Sequence, residues 1–307
     1  MRFGVIGRTK VLIDAARSLV ADGHELVFVY TCRSEQYYGF GVDEYEAFAN
    51  EMKVPFCCDL KINHKLDWLR ECRADVCISL NWMTLLRQDL FDLFPHGILN
   101  AHGGDLPRYR GNACINWAIL NGEKQSCMSI HEMTPELDAG PVYLKRYFPL
   151  QENTYVGDYY EWSESVIPCM FRDAIAMISG GISPVPQDTN IVPFRCFPRR
   201  PEDSRINWNF SAKEIYALIR ASSHPFEGAF CYTENDEHLS IYKAFILRTD
   251  YRFSAIPGQI CVVDNSVPFV ACADDDRMIG LLDFSLEGLD KKHSISRFAS
   301  SLRNRLH

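Results

Sequence analysis

The first hundred residues alternate short, unbroken apolar runs with stretches of helical period, which narrows the possible folds more than any other feature. Residues 2–6 form an apolar run that ends at Gly7. Val11, Leu12, Ala15, Ala16, Leu19 and Val20 then fall at helical spacing over residues 11–21, and Asp22-Gly23 stops the helix. Residues 25–30 hold the continuous run Leu26-Val27-Phe28-Val29, and residues 54–58, 76–80 and 97–100 repeat the pattern. Helices over residues 67–72 and 87–94 fit between them. Unbroken apolar strands are typical of parallel sheets buried on both faces. The series predicts an α/β domain built on a doubly wound, Rossmann-like parallel sheet.

The turn Gly7-Arg8-Thr9-Lys10 lacks the G-x-G-x-x-G fingerprint of dinucleotide binding, so neither NAD nor FAD is expected. It aims backbone N–H groups and two cations above the sheet. That suits a phosphate, and equally an ordinary polar turn.

The composition shifts after Gly180-Gly181, which ends a long helix over residues 158–179. Pro184, Pro186, Pro193, Pro198 and Pro201 follow, and the fixed φ and missing donor of proline predict an extended linker. Ser211, with Glu214 three residues on, is a capping-box opening for a helix over residues 211–221. Strand-like runs at 229–233, 239–244, 258–263, 269–273 and 278–284 are separated by turn residues and predict a small OB-like β-barrel. The expected organisation is a catalytic domain over 1–182, a linker over 183–208 and a β-rich domain over 209–307.

Charge and cysteine usage exclude several classes. Hydrophobic residues make up 47% of the 307 and charged residues 23%, against a disordered or fibrous chain. No window approaches the ~18 consecutive apolar residues of a membrane span. The first residues lack the long apolar core and cleavage site of a secretory signal, so a cytoplasmic protein is expected. The formal net charge of −8 argues against a nucleic-acid partner, whose phosphates need a basic surface. Twelve scattered cysteines contain no C-x-x-C pair, which argues against a zinc ribbon or a redox motif and for reduced thiols in the core. No metal is expected.

The chemistry concentrates in Asn100-Ala101-His102-Gly103-Gly104-Asp105-Leu106-Pro107-Arg108-Tyr109-Arg110-Gly111, which follows a strand. Ligands of open parallel sheets sit beyond the carboxyl ends of strands. Residues two apart on a strand face the same way, so Asn100 and His102 share one pocket. A second loop, Met133 to Pro141, carries Asp138. A carboxylate beside a histidine fixes its tautomer and raises its basicity. An Asn side-chain N–H can steady developing oxygen charge. The three together suit acyl transfer to an amine without a covalent enzyme intermediate.

Asn100-x-His102, Leu106-Pro107-x-Tyr109-Arg110-Gly111, Trp117-Ala118-Ile119 with Asn121-Gly122-Glu123, and Leu137-Asp138-Ala139-Gly140 resemble, in this order, the 10-formyltetrahydrofolate-dependent formyltransferase family. Residues 199–208 and 225–230 resemble the junction and second-domain start of its tRNA and sugar branches, so the resemblance runs to about residue 245. It implies Asn100, His102 and Asp138 as the catalytic set and 10-formyltetrahydrofolate as formyl donor. It also implies that the stretch containing Trp82, Met83 and Leu85 grips the pterin through its main chain. Gly103-Gly104-Asp105 departs from the family's usual sequence after the histidine. The extra charge of Asp105 suits either an acceptor contact or a turn cap.

Three acceptors compete under that resemblance. Residues 200–307 hold 13 Lys+Arg and 15 Asp+Glu, a net of −2, which disfavours methionyl-tRNA. A glycinamide ribonucleotide enzyme would need no second domain. A nucleotide-linked amino sugar, by analogy a 4-amino-4,6-dideoxyhexose for surface-polysaccharide synthesis, needs only a cleft with a pyrophosphate contact. Arg8, Thr9 and Lys10, or Tyr109 and Arg110, could supply that contact. A formyl-folate hydrolase and a non-catalytic folate binder remain alternatives on the same fold. The β-rich domain offers a surface on which two copies could pair as a homodimer.

Overall fold

The computed structural model describes residues 1–33, 40–301 and 303–307. Its chain order is β1 (Arg2–Gly7), α1 (Lys10–Ala21), β2 (Glu25–Thr31), α2 (Val42–Met52), β3 (Phe56–Cys58), α3 (Leu66–Cys72), β4 (Val76–Leu80), α4 (Gln88–Phe91) and β5 (Ile98–His102). Then come β6 (Arg110–Gly111), α5 (Cys114–Leu120), β7 (Gln125–Glu132), β8 (Val142–Pro149), α6 (Val156–Ser179) and β9 (Arg195–Cys196). The last elements are α7 (Ala212–Ser222), β10 (Ala229–Tyr232), β11 (His238–Arg248), β12 (Ile260–Asp264), β13 (Val267–Ala271), β14 (Arg277–Leu286) and α8 (Lys291–Ala299).

The chain forms two compact units. The first comprises residues 1–114, 125–149 and 160–197. Its seven-stranded sheet has the order β3-β2-β1-β4-β5-β7-β8. The five strands from β3 to β5 are parallel, as their apolar runs require; β1 and β2 are buried almost throughout. Ile6, Phe28, Tyr30, Leu69, Leu90 and Ile98 belong to one buried cluster on this sheet.

The sheet continues with two strands that the apolar runs do not announce. β7 pairs with β5, and β8 with β7, both antiparallel. The burial of β8 is broken and its side chains are mostly half-exposed, so its sequence carries no continuous apolar run. The register sets Asn100 opposite His131 and His102 opposite Ser129. The first half of the proline-rich stretch is stitched to this unit: Val185 and Val142 exchange two backbone hydrogen bonds of 2.9 and 2.8 Å.

The second unit comprises residues 115–124, 150–159 and 198–307. It holds a five-stranded antiparallel sheet, β10-β11-β14-β13-β12, over a core that includes Trp208, Ile215, Ile219, Ile241 and Leu281. Both edge strands reach the same closing segment: Thr233 bridges Leu306, and Gln259 bridges Arg305. Residues 304–307 thus join the two edges, which otherwise present unpaired N–H and C=O groups. Ser211 caps α7 in the expected capping box, with Glu214 reaching back to the Ser211 backbone N–H at 3.0 Å. Among the described residues no helix is long and apolar enough to cross a membrane.

Candidate active site

Asn100 and His102 stand on one face of β5, at its carboxyl end. The chain turns back at once through Gly103 and Gly104. A Cβ on Gly104 would lie 2.1 Å from the Tyr109 carbonyl oxygen and 2.6 Å from His102 Nε2, so only glycine lets the loop return this closely. That return places the Tyr109 carbonyl 2.7 Å from His102 Nε2. A carbonyl only accepts, so Nε2 carries the ring proton and Nδ1 is the bare nitrogen of the neutral imidazole. Nδ1 faces Asp138 Oδ2 at 3.6 Å.

Asp138 arrives from the turn between β7 and β8, with φ of 51°. The Gly111 N–H donates to its Oδ2 at 2.8 Å. Its Oδ1 lies 3.6 Å from His131 Nε2. His131 donates through Nδ1 to the Glu132 carbonyl at 2.9 Å, leaving Nε2 to accept from Asn100 Nδ2 at 3.2 Å. The Asn100 amide is therefore oriented, with one N–H held by His131 and one left over. Asn100, His102, His131 and Asp138 form one contiguous group, with His102 7% and His131 1% exposed.

Burial lowers the His102 pKa below its ordinary value; Asp138 opposes this and His131 adds to it. Burial works to raise the Asp138 carboxyl, but His102, His131 and the Gly111 N–H together bring it down to about 2. The result is a neutral imidazole beside an ionised carboxylate, the state a general base needs. Cys114 donates to the same Tyr109 carbonyl at 3.0 Å. A hydrogen bond with Cys196, together with burial, pushes the Cys114 thiol far up, so it is not a nucleophile. All twelve cysteines are free. Seven are buried, three intermediate, and Cys58 and Cys169 exposed.

The remaining expected residues divide by location. Trp82, Met83 and Leu85 lie on an irregular stretch beyond β4. Trp82 packs edge-on to Tyr30, while Met83 and Leu85 are 51% and 64% exposed. Asn63 braces the stretch through the Leu85 carbonyl at 3.0 Å and the Arg87 N–H at 3.0 Å. Arg8 is buried, and its Nε donates to the Asn81 carbonyl at 2.9 Å. Thr9 opens α1, and Lys10 pairs with Asp14 on its exposed side. Asp105 is held by Lys145 at 2.8 Å and by the Tyr147 hydroxyl at 3.1 Å. The Tyr109 ring is buried against Phe194, and it is the Tyr109 carbonyl that faces the site. Arg110 binds Gln187 and Glu136. Among the described residues no group of three His, Cys, Asp or Glu side chains is placed to hold a metal ion.

His131 is the site residue that sequence reasoning missed. Its spacing from Asn100 carries no pattern, and only the antiparallel pairing of β5 with β7 brings the two together.

The chain matches the family descriptions "Formyl transferase" over residues 59–166 and "Formyl transferase, C-terminal domain" over residues 199–302. Its fold is similar to those of several solved structures, HypX, WlaRD and an N-formyltransferase from Helicobacter canadensis among them. A variant of HypX from Aquifex aeolicus is 17% identical, with a TM-score of 0.64 and coverage of 97% of this chain. The chain spans about half (49%) of that HypX chain. WlaRD, a sugar 3N-formyl transferase studied with dTDP and 5-N-formyl-THF, is 16% identical, with a TM-score of 0.65 over 94% of this chain and 99% of its own. The N-formyltransferase from Helicobacter canadensis, in complex with folinic acid and dTDP-3-aminofucose, is 18% identical, with a TM-score of 0.64 over 91% and 98%. At these identities the likeness is one of fold.

Proposed function

Since the chain belongs to the formyl transferase family, we propose that it moves a formyl group from 10-formyltetrahydrofolate to the amine of a nucleotide-linked amino sugar, with Asn100, His102 and Asp138 as its catalytic residues. The observation that carries this reading is the contiguous cluster in which Asp138 lies 3.6 Å from both His102 and His131 while His131 orients the Asn100 amide. Folate- and sugar-nucleotide-bound structures of the same fold support the donor and acceptor classes. The stretch of Trp82, Met83 and Leu85 beyond β4 is irregular, so its backbone N–H and C=O groups are not used up in a helix or strand and suit the polar edge of a flat pterin ring, while Met83 and Leu85 are exposed and suit its faces.

The donor supplies an activated formyl carbon. The free N–H of Asn100 meets the formyl oxygen as it gains negative charge. His102 Nδ1 takes the proton that the attacking amine sheds, and the 3.6 Å contact with Asp138 becomes an ion pair. The same proton goes to the leaving nitrogen as its bond to the formyl carbon breaks, so the ring ends as it began.

The test is a mass-spectrometric acceptor screen. Protein and 10-formyltetrahydrofolate are incubated with a panel of dTDP-, UDP- and GDP-linked amino sugars, with methionyl-tRNA, and with no amine. One sugar gaining a formyl group, and losing that gain in His102→Ala, supports the reading. Formylation of the tRNA alone overturns the acceptor. The likeness to HypX extends over as much of this chain as that to the sugar enzymes, so the arm without amine matters: donor consumed there would point to release of the formyl group.

A further inference from the structure

We propose that Gln187 is a positioning residue for this reaction: its side-chain amide clamps the turn that carries Asp138 to the loop that carries Arg110 and Gly111, and so sets the carboxylate beside His102. Its catalytic consequence rests on the formyl-transfer reading, but the clamp itself does not.

Gln187 lies in the proline-rich stretch, two residues beyond the Val185–Val142 bridge that fixes the chain there. Its Nε2 donates to the Asp138 carbonyl at 2.7 Å and to the Gly140 carbonyl at 2.8 Å. Its Oε1 accepts from Arg110 at 2.7 Å through one terminal nitrogen and at 3.2 Å through Nε. All four hydrogen-bonding positions of the amide are therefore in use. Arg110 adds a third contact, to Glu136 Oε1 at 3.1 Å, in the turn before Asp138.

These bonds close a ring. Arg110 precedes Gly111, whose N–H holds the Asp138 carboxylate at 2.8 Å, while Gln187 holds the carbonyl of that same aspartate. Asp138 has φ of 51°, a conformation that costs a non-glycine residue about 1 kcal/mol or more and persists only where the surroundings impose it. Pinning the carbonyl stops rotation about the Asp138 backbone, which would otherwise carry the carboxylate away from His102 and His131.

No other side chain fits. Glutamate cannot donate to two carbonyls when ionised, and lysine cannot accept from Arg110. Asparagine is one methylene short.

The test is a proton NMR titration of the His102 ring in the free protein, with neither donor nor acceptor present. It is run on Gln187→Ala and on the near-isosteric Gln187→Met, each with Asp138 intact and with Asp138→Asn. The groups facing His102 are Asp138, His131, the Cys114 thiol and the Tyr109 carbonyl. With Asp138 intact, either Gln187 variant should move the His102 midpoint down by about half a unit, part of the one to three units a close opposite charge is worth. In the Asp138→Asn background the same substitution should move it no further. An equal shift in both backgrounds would overturn the proposal. So would a drop in melting temperature with the titration unchanged, which marks a purely structural glutamine. Gln187→Met guards against a misfolded alanine variant. Failure of the acceptor screen leaves this readout untouched.

Discussion

Gly104 has no room for a methyl group, because the Tyr109 carbonyl and His102 Nε2 occupy that space. Gly104→Ala should push that carbonyl off Nε2, costing about 1–3 kcal/mol of stability and releasing the tautomer of His102. Urea unfolding alongside turnover will show both losses. Asn100→Ala removes the proposed oxyanion donor and should lower kcat by about 10²- to 10³-fold with little change in KM, read in steady-state kinetics once the acceptor is identified.

The acid side of the pH profile follows from the same residues. Burial holds the His102 pKa below 6.5, so the acid limb of kcat/KM should fall below that pH. It should move lower still in Asp138→Asn, since Asp138 is the charge that raises His102. Asp138 descends from 3.8 to about 2 on folding, so its stabilisation is full above pH 4 and is lost as pH falls through 2. That is roughly 2 kcal/mol, and urea midpoints at pH 7, 4 and 2 should show the loss flattened in Asp138→Asn.

Asn100, His102 and the glycines after them are legible in sequence because they are neighbours on one strand and one turn. His131 and Gln187 are not, because each gains its meaning from a partner more than 30 residues away.

Among the elements, pairing decides which side chains meet. The five parallel strands read clearly, since a strand buried on both faces must be an unbroken apolar run. β7 and β8 did not: β8 is largely half-exposed, and β7 interrupts its apolar residues with Ser126, Ser129 and His131. Yet the β5–β7 register sets Asn100 against His131. The helix over α7 was legible to its cap, because Ser211 and Glu214 state it locally. Ser211→Ala should cost about 1 kcal/mol, seen as a lower urea midpoint with the same slope. Read as linker for its prolines, residues 183–197 instead run against the first unit, through the Val185 bridge and Gln187.

For the whole molecule, charge is the property with a direct test. The chain carries −8 overall, and residues 200–307 carry −2. A protein that contacts several nucleic-acid phosphates loses about 10³- to 10⁵-fold in affinity between 50 and 200 mM salt. Formylation of a sugar nucleotide here should change by less than about tenfold over that range, checked by kcat/KM at each ionic strength. The β-rich character of the C-terminal region was legible from its short, turn-separated strand runs. The joining of both edges of the second sheet through residues 304–307 was not, because a four-residue segment carries no periodicity of its own.

The close approaches inside the site also limit its history. A side chain at Gly104 meets His102, and one at Gly140 would lie 1.8 Å from the Glu132 carbonyl oxygen. Gln187 has no unused hydrogen-bonding position to trade. Substitution at such places disturbs the arrangement around His102 and Asp138 before it can alter anything else, so variation there carries a cost from the first step. Arg108 and Phe197, by contrast, are exposed side chains. Descendants that diverge from this chain should therefore keep Gly104, Gly140 and Gln187 unchanged and differ first at exposed positions.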